Sequence, residues 1–251
     1  MRVAGGDAQP FSRIRIVLVR PKGAANVGAV ARAMKNMGLT DLVLAEPVAR
    51  RTFLSRAMAV HAGDVLESAR VVSSLAEAVA DCALVVATTA RRGPYRLGAA
   101  SPREIAPELV RQARQQRVAL VFGPEDHGLS NDDLKGCHRI VQIPTSAEYR
   151  SLNLAQAVLL CAYEILLAAG EPAPAPAEDD ADLERAPAER VAFLFDRLQE
   201  AFLRIGFLSH ENPDHIMHSL RRLLGRTGLE EREVRILLAL ARQIEWAGRD
   251  R

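Results

Sequence analysis

The stretch Val118–Gly170, VALVFGPEDHGLSNDDLKGCHRIVQIPTSAEYRSLNLAQAVLLCAYEILLAAG, decides the fold. An apolar run, Val118–Phe122, empties into the polar loop GPEDHGLS, Gly123–Ser130. A second run, Arg139–Ile143, empties into PTSAEYRS, Pro144–Ser151. Short apolar runs bounded by Gly, Pro and Ser read as buried strands. The segment from about Leu152 to Ala169 is long and apolar enough for a helix, with Ser151 and Asn153 at its entrance. Two such loops leaving neighbouring strands at the same edge build one pocket, the expected working centre of the protein.

The rest of the chain extends this pattern. Arg13–Val19, Asp41–Ala45, Arg70–Val72 and Ala83–Thr88 read as strands. Asn26–Met37, residues 51–62 and Ser74–Ala80 read as helices, with Asn26 as N-cap and Gly38 as the stop of the first. Ser101-Pro102-Arg103-Glu104 is a capping box opening another. Strands alternating with helices predict an α/β domain over residues 13–170, with a mostly parallel sheet and helices on both faces. Residues 1–12 lack periodicity and read as a flexible tail. Residues 171–187 alternate Pro and Ala with acids and read as an extended linker. Residues 188–251 hold three amphipathic helices, about Ala188–Phe207, one after Asn212-Pro213, and about Leu229–Ala247. A bundle of that size is marginal alone, so it is expected to pack on a partner surface or a second copy.

Hydrophobic residues at 49% and charged residues at 25% fit a soluble globular chain. No apolar run has the length of a membrane span, and the N-terminus lacks the apolar core of a signal peptide. Cys82, Cys137 and Cys161 are scattered, without a Cys-x-x-Cys pair, which suits a reducing cytoplasm. Up to residue 60, ten basic residues stand against three acidic ones, and Arg91, Arg92, Arg96 and Arg103 follow. Gathered on one face they suit RNA; spread out, they are an ordinary solvated surface.

Several constellations could carry chemistry. On the helix Asn26–Met37, the residues Val27, Val30, Ala31, Met34 and Met37 share the sheet-facing side. That turns Gly28, Ala29, Arg32 and Asn36 outward, small residues around an arginine that another backbone or a ligand can approach. Gly23–Gly28 is also a Gly-x-Ala-x-x-Gly variant of the dinucleotide fingerprint, with Glu46 where a ribose-binding acid belongs. A Rossmann-type oxidoreductase is therefore an open reading. Glu125, Asp126 and His127 crowd one strand-end loop, and Ser130 reads as a cap. Ser151, read as the N-cap of the last long helix, and Asn153 offer a helix N-terminus to an anionic group. No metal is expected, because neither the Glu125–His127 loop nor His210, His215 and His218 have partners at ligand spacing. No Gly-x-Ser-x-Gly elbow supports a serine hydrolase.

Three segments in order resemble the three motifs of the SPOUT superfamily of RNA methyltransferases, in its 2′-O-ribose (SpoU) branch. They are Asn26–Gly38, Leu120–Ser130, and Ile143-Pro144 with Ser151–Ala157. Phe195–Phe207 and Glu211–Ala247, including Ile244-Glu245-Trp246, are similar to the helical extension of the tRNA (cytidine/uridine-2′-O)-methyltransferases acting at nucleotide 32 of the anticodon loop. The acidic Pro/Ala linker and Arg150 depart from that pattern. The resemblance implies a deep trefoil knot over Val118–Leu152, a rare topology, holding S-adenosylmethionine. The implied cofactor contacts are Thr88, Thr89, Ala90, Gly123, Ile143, Arg150, Ser151 and Leu152. It also implies a homodimer in which the first motif of one chain completes the partner's site on a tRNA anticodon stem-loop. Arg32, Glu125, Ser151 and Asn153 are the implied catalytic set. An arginine base is awkward, with a pKa above about 12. The expected role of Arg32 is therefore to bind the adjacent phosphate and stabilise a developing alkoxide. Alternatives of the same fold are an RNA-binding protein without catalysis, or an enzyme acting at another tRNA or rRNA site.

Overall fold

The computed structural model describes residues 10–48, 52–91, 98–170, 185–209, 211–225 and 228–248. The strands are β1 (Ile14–Val19), β2 (Asp41–Ala45), β3 (Arg70–Val72), β4 (Leu84–Thr88), β5 (Val118–Phe122) and β6 (Arg139–Val141). The helices are α1 (Ala24–Asn36), α2 (Phe53–Ala59), α3 (Gly63–Ser68), α4 (Leu75–Val79), α5 (Pro102–Ala113), α6 (Asn131–Lys135) and α7 (Leu154–Gly170), then α8 (Ala188–Arg204), α9 (Pro213–Gly225) and α10 (Glu231–Ala247). All strand pairs are parallel, in the order β3-β2-β1-β5-β4-β6.

The central strands are apolar apart from Arg15 because both their faces are covered. Ile14, Ile16, Leu18, Leu120 and Phe122 pack under α1, α3, α5 and α7. Val17, Val19, Val43, Val85 and Val121 face the other way, under α4, α6 and the start of α8. The expected neighbours β5 and β6 are separated by β4, which pairs with both. The loop after β4 is thereby drawn into the same edge as the other two.

Several boundaries differ from expectation. The helix α1 is capped by Gly23, not Asn26, and lacks a side-chain cap; Gly38, at φ 77°, ends it as expected. The helix expected over residues 51–62 spans only Phe53–Ala59, and α3, beyond Ala62, is an element the sequence reading lacked. Thr52 and Ser55 form a capping box for α2, and Val60, at φ 52°, breaks the chain before α3. The last strand stops at Val141, short of the expected Ile143, and beyond it the Gln142 amide bonds to the Ala100 carbonyl at 2.9 Å. The Ser101 capping box is present with Pro102 in the first turn.

One cation of the basic N-terminal segment is structural. Arg15 is 2% exposed, within β1. Its Nε donates to Asp41 at 2.9 Å, and its Nη1 to Asp81 at 2.6 Å and to the Ala78 carbonyl at 2.7 Å. A buried guanidinium is tolerable only with its charge and donors satisfied in this way. Burial alone would raise the Asp81 carboxyl, but hydrogen bonds from Arg15 and Arg117 prevail and hold it at about 2. A carboxyl depressed in the folded state stabilises fully above its unfolded pKa of about 3.9, and loses that contribution as pH falls towards 2. We expect Asp81→Asn to be less stable than wild type at pH 7, with the gap closing between about pH 4 and 2. Thermal melts across pH measure this; parallel curves would contradict it.

The last three helices have their own core, including Val191, Leu194, Phe195, Leu198, Met217, Val234 and Ala241. They rest on the sheet domain of their own chain. The Arg185 guanidinium pairs with Glu108 at 3.0 Å, the Ala188 amide donates to the Cys82 carbonyl at 2.9 Å, and Lys135 pairs with Asp214 at 2.9 Å. Most of the expected tail and linker lie outside the described residues. The linker's last residues are anchored, the Arg185 amide to Gln116 at 3.2 Å and the Ala186 amide to the Leu229 carbonyl at 2.7 Å.

Candidate active site

A cavity of about 350 Å³ opens at the C-terminal ends of β4 and β5, the edge where parallel α/β sheets receive ligands. Its walls come from three loops: Thr88, Thr89 and Ala90 after β4, the residues from Gly123 to Leu129 after β5, and Ile143 with Arg150, Ser151 and Leu152 before α7. Each expected cofactor contact lies on this wall.

The β5 loop folds tightly on itself. The Gly128 amide donates to the Pro124 carbonyl at 2.8 Å, and Gly128 adopts φ 65°. A Cβ on Gly123 would stand 2.2 Å from the Leu129 nitrogen, so only glycine fits there. Ser130 caps α6, accepting from the Asp133 amide at 3.1 Å, as expected.

Glu125 reaches out of this loop to the start of α1. Its carboxylate accepts from the amides of Lys22 at 2.9 Å and Gly23 at 3.0 Å, and from Asn26 Nδ2 at 2.8 Å. It thereby supplies the acceptor that the uncapped helix lacks. Burial would raise its pKa, but the hydrogen bonds from Asn26, Lys22 and Gly23 outweigh it and hold the group below the usual carboxylate range. Asn26 Oδ1 accepts in turn from Asn153 Nδ2 at 3.0 Å, and Asn153 Oδ1 accepts from the Ala155 amide at 2.9 Å. Asn153, not Ser151, therefore provides the side-chain cap of α7. Ser151 is left on the cavity wall.

Asn26 is the site residue that sequence reasoning missed. The one available signal was that the first turn of α1 has neither an acid nor a capping side chain, so its donors need an acceptor from elsewhere. Asn26→Asp keeps the acceptor for Asn153 but sets a second carboxylate against Glu125. We expect at least a ~10-fold loss of kcat/KM, with Glu125 titrating nearer neutrality; an unchanged pH–rate profile would contradict this.

The dinucleotide reading fails on geometry. The amides at the α1 N-terminus are occupied by the Glu125 carboxylate, which would repel a pyrophosphate. Gly28 is buried, and a Cβ there would stand 2.0 Å from the Ser55 carbonyl oxygen. The backbone that approaches this glycine is thus α2 of the same chain. Glu46 pairs with Arg20 at 3.5 Å.

Arg32 is exposed on α1, makes no hydrogen bond or ion pair among the described residues, and does not line the cavity. Elsewhere on the wall, Asp126 pairs with Lys22, and His127 Nδ1 lies 2.7 Å from Asp126. Phe122, Leu129, Leu152 and Leu154 provide apolar surface, Glu125 and Asp126 negative charge, and Arg91 and Arg150 positive charge. This donor set fits a ligand with an aromatic base and charges of both signs, as S-adenosylmethionine has. Among the described residues no three His, Cys, Asp or Glu side chains gather as a metal site.

Residues 13–163 match the SpoU rRNA Methylase family, and residues 189–251 match the C-terminal domain of the tRNA methyltransferase TrmJ. The tRNA (cytidine/uridine-2'-O-)-methyltransferase TrmJ of Klebsiella pneumoniae is 40% identical over 237 residues, 94% of this chain and 97% of the relative. That of Salmonella typhimurium is 42% identical over 238 residues, 94% of this chain and 97% of the relative. Among solved structures, TrmJ from Z. mobilis ZM4 aligns with a TM-score of 0.78 at 34% identity, over 92% of this chain and 98% of that one.

Proposed function

The chain belongs to the SpoU methylase family, and from that premise we propose that it methylates the ribose 2′-hydroxyl of the pyrimidine at nucleotide 32 in the tRNA anticodon loop. The observation that carries this is the meeting of the three motif-like segments. Glu125 from the β5 loop, Asn26 from α1 and Asn153 before α7 form one hydrogen-bonded relay next to a cavity. The choice of nucleotide rests on the C-terminal extension and its resemblance to enzymes acting there.

The cavity holds S-adenosylmethionine, which supplies an electrophilic methyl group. Glu125 fixes the start of α1, and Asn153 fixes the start of α7, so that Ser151 and Leu152 keep their places on the wall. Arg32 serves the cavity of a second copy in a homodimer. Two observations support the dimer. Leu160, Tyr163 and Leu167 repeat along α7 and are at least 41% exposed, and Phe53 and Met58 expose apolar surface on α2, which packs against the helix bearing Arg32. The Arg32 guanidinium then binds a phosphate beside the target ribose and stabilises the developing alkoxide.

Val118–Leu152 forms the knot in this reading. The chain leaves β6 at the sheet edge and returns as α7 against α1 and α5, which supports the threading. No described helix is long and apolar enough to cross a membrane, and we place the enzyme in the cytoplasm, with its tRNA substrate. Calorimetric titration tests the cofactor assignment: saturable binding of S-adenosylmethionine and none of NAD is expected. Saturable NAD binding alone would overturn it.

A further inference from the structure

A second cavity, of about 440 Å³, lies where α9 of the extension meets the edge strand β6 and the end of α6. Its walls carry Lys135, His138, Arg139, His218, Arg221 and Arg222, and no carboxylate among the described residues. Lys135 is engaged by Asp132 at 3.0 Å and Asp214 at 2.9 Å, and Arg139 by Glu108 at 3.6 Å and by the Gly225 carbonyl at the end of α9. The other two cations are poorly matched. Arg221 is 18% exposed, lies 4.7 Å over the Phe195 ring, and has its nearest carboxylate, Asp196, at 3.8 Å. Arg222 is exposed and forms no ion pair among the described residues.

The histidines report the resulting field. Burial lowers the His218 pKa, and Arg222, Arg221, His215 and Lys135 lower it further. Burial, Arg185 and Arg139 push His138 down to about 4. Burial works against the Arg221 charge, Asp196 at 3.8 Å and Asp214 offset it only in part, and Arg222 beside it has no ion pair among the described residues, which leaves positive charge available to an anion.

We propose that this cleft binds phosphate groups of the RNA substrate's backbone, and so holds the tRNA across the seam between the sheet domain and the extension. The proposal rests on the RNA methyltransferase reading above. Cations stand on both walls, Lys135 and Arg139 from the sheet domain, Arg221 and Arg222 from α9, an arrangement suited to a polyanion rather than to one small ion. Phosphate contacts of this kind fix register without reading sequence. The cleft thereby gives the extension a physical part in presenting the anticodon arm to the catalytic cavity.

The test uses the full chain with Arg222→Glu and Arg222→Lys, since Arg221 also packs on Phe195. We expect Arg222→Glu to weaken tRNA binding at least ~10-fold and to make the slope of log Kd against log salt shallower by about one. Arg222→Lys should keep most of the affinity, and S-adenosylmethionine affinity should not change in either. Wild-type tRNA affinity in Arg222→Glu, or a loss without a change in salt slope, would overturn the proposal. Wild-type protein that neither binds S-adenosylmethionine nor methylates tRNA would instead sink the functional reading beneath it.

Discussion

Arg32→Ala is expected to lower kcat at least ~100-fold, the scale for removing a group that stabilises transition-state charge, while thermal stability and S-adenosylmethionine affinity stay at wild-type values. The separation follows from geometry. Arg32 is exposed, bonds to nothing among the described residues, and stands off the cavity wall, so neither the fold nor the cofactor loses a contact. Arg32→Lys distinguishes two roles. A phosphate and alkoxide contact loses its planar fork and most of its rate. A general base would retain near-full rate, with an acidic limb tracking the lysine pKa. Mixing Arg32→Ala chains with chains defective in the cavity tests action across the dimer. One site per mixed dimer then combines an intact cavity with an intact arginine, and activity should reappear. A mixture as inactive as its parents would show that Arg32 serves its own chain.

The second large effect is expected from Gly123→Ala. The added Cβ would stand 2.2 Å from the Leu129 nitrogen and 2.3 Å from the Gly128 carbonyl carbon. Both are backbone atoms, so no rotamer change relieves the clash and the loop itself must move. Overpacking of this kind costs about 1–3 kcal/mol, and here the displaced loop carries Glu125 and the cavity wall. We expect a lowered Tm and at least a ~100-fold loss of S-adenosylmethionine affinity, against about 2.7 kcal/mol of binding free energy. Gly136→Ala is the control, because no atom lies within 4 Å of its added Cβ. Equal behaviour of the two variants would contradict the crowded-loop account.

The strands were legible because a parallel sheet covered on both faces demands mostly apolar runs, as in Val118–Phe122 and, but for Arg15, Ile14–Val19. Helix ends set by local chemistry, at Gly38 and Ser101, were legible for the same kind of reason. Where distant parts of the chain decide, local reading failed. Asn26 looks like a cap until Glu125 supplies the acceptor from 99 residues away. Asn153 takes the capping role beside an equally polar Ser151, tied to Asn26 across 127 residues. Arg15 counts as a surface cation until Asp41 and Asp81 close over it. The early end of α2, at Val60 with φ 52°, has no local signature. The cavity was half legible: two strand-end loops pointed to it, but the insertion of β4 between β5 and β6, which brings Thr88–Ala90 to the wall, has no pattern in the sequence.

The most direct measurement is to incubate the full chain with bulk tRNA and methyl-labelled S-adenosylmethionine, then map the label by nucleotide and by atom. The account predicts a 2′-O-methyl group on the pyrimidine at nucleotide 32. Label on a base, or on a ribose outside the anticodon loop, would contradict it.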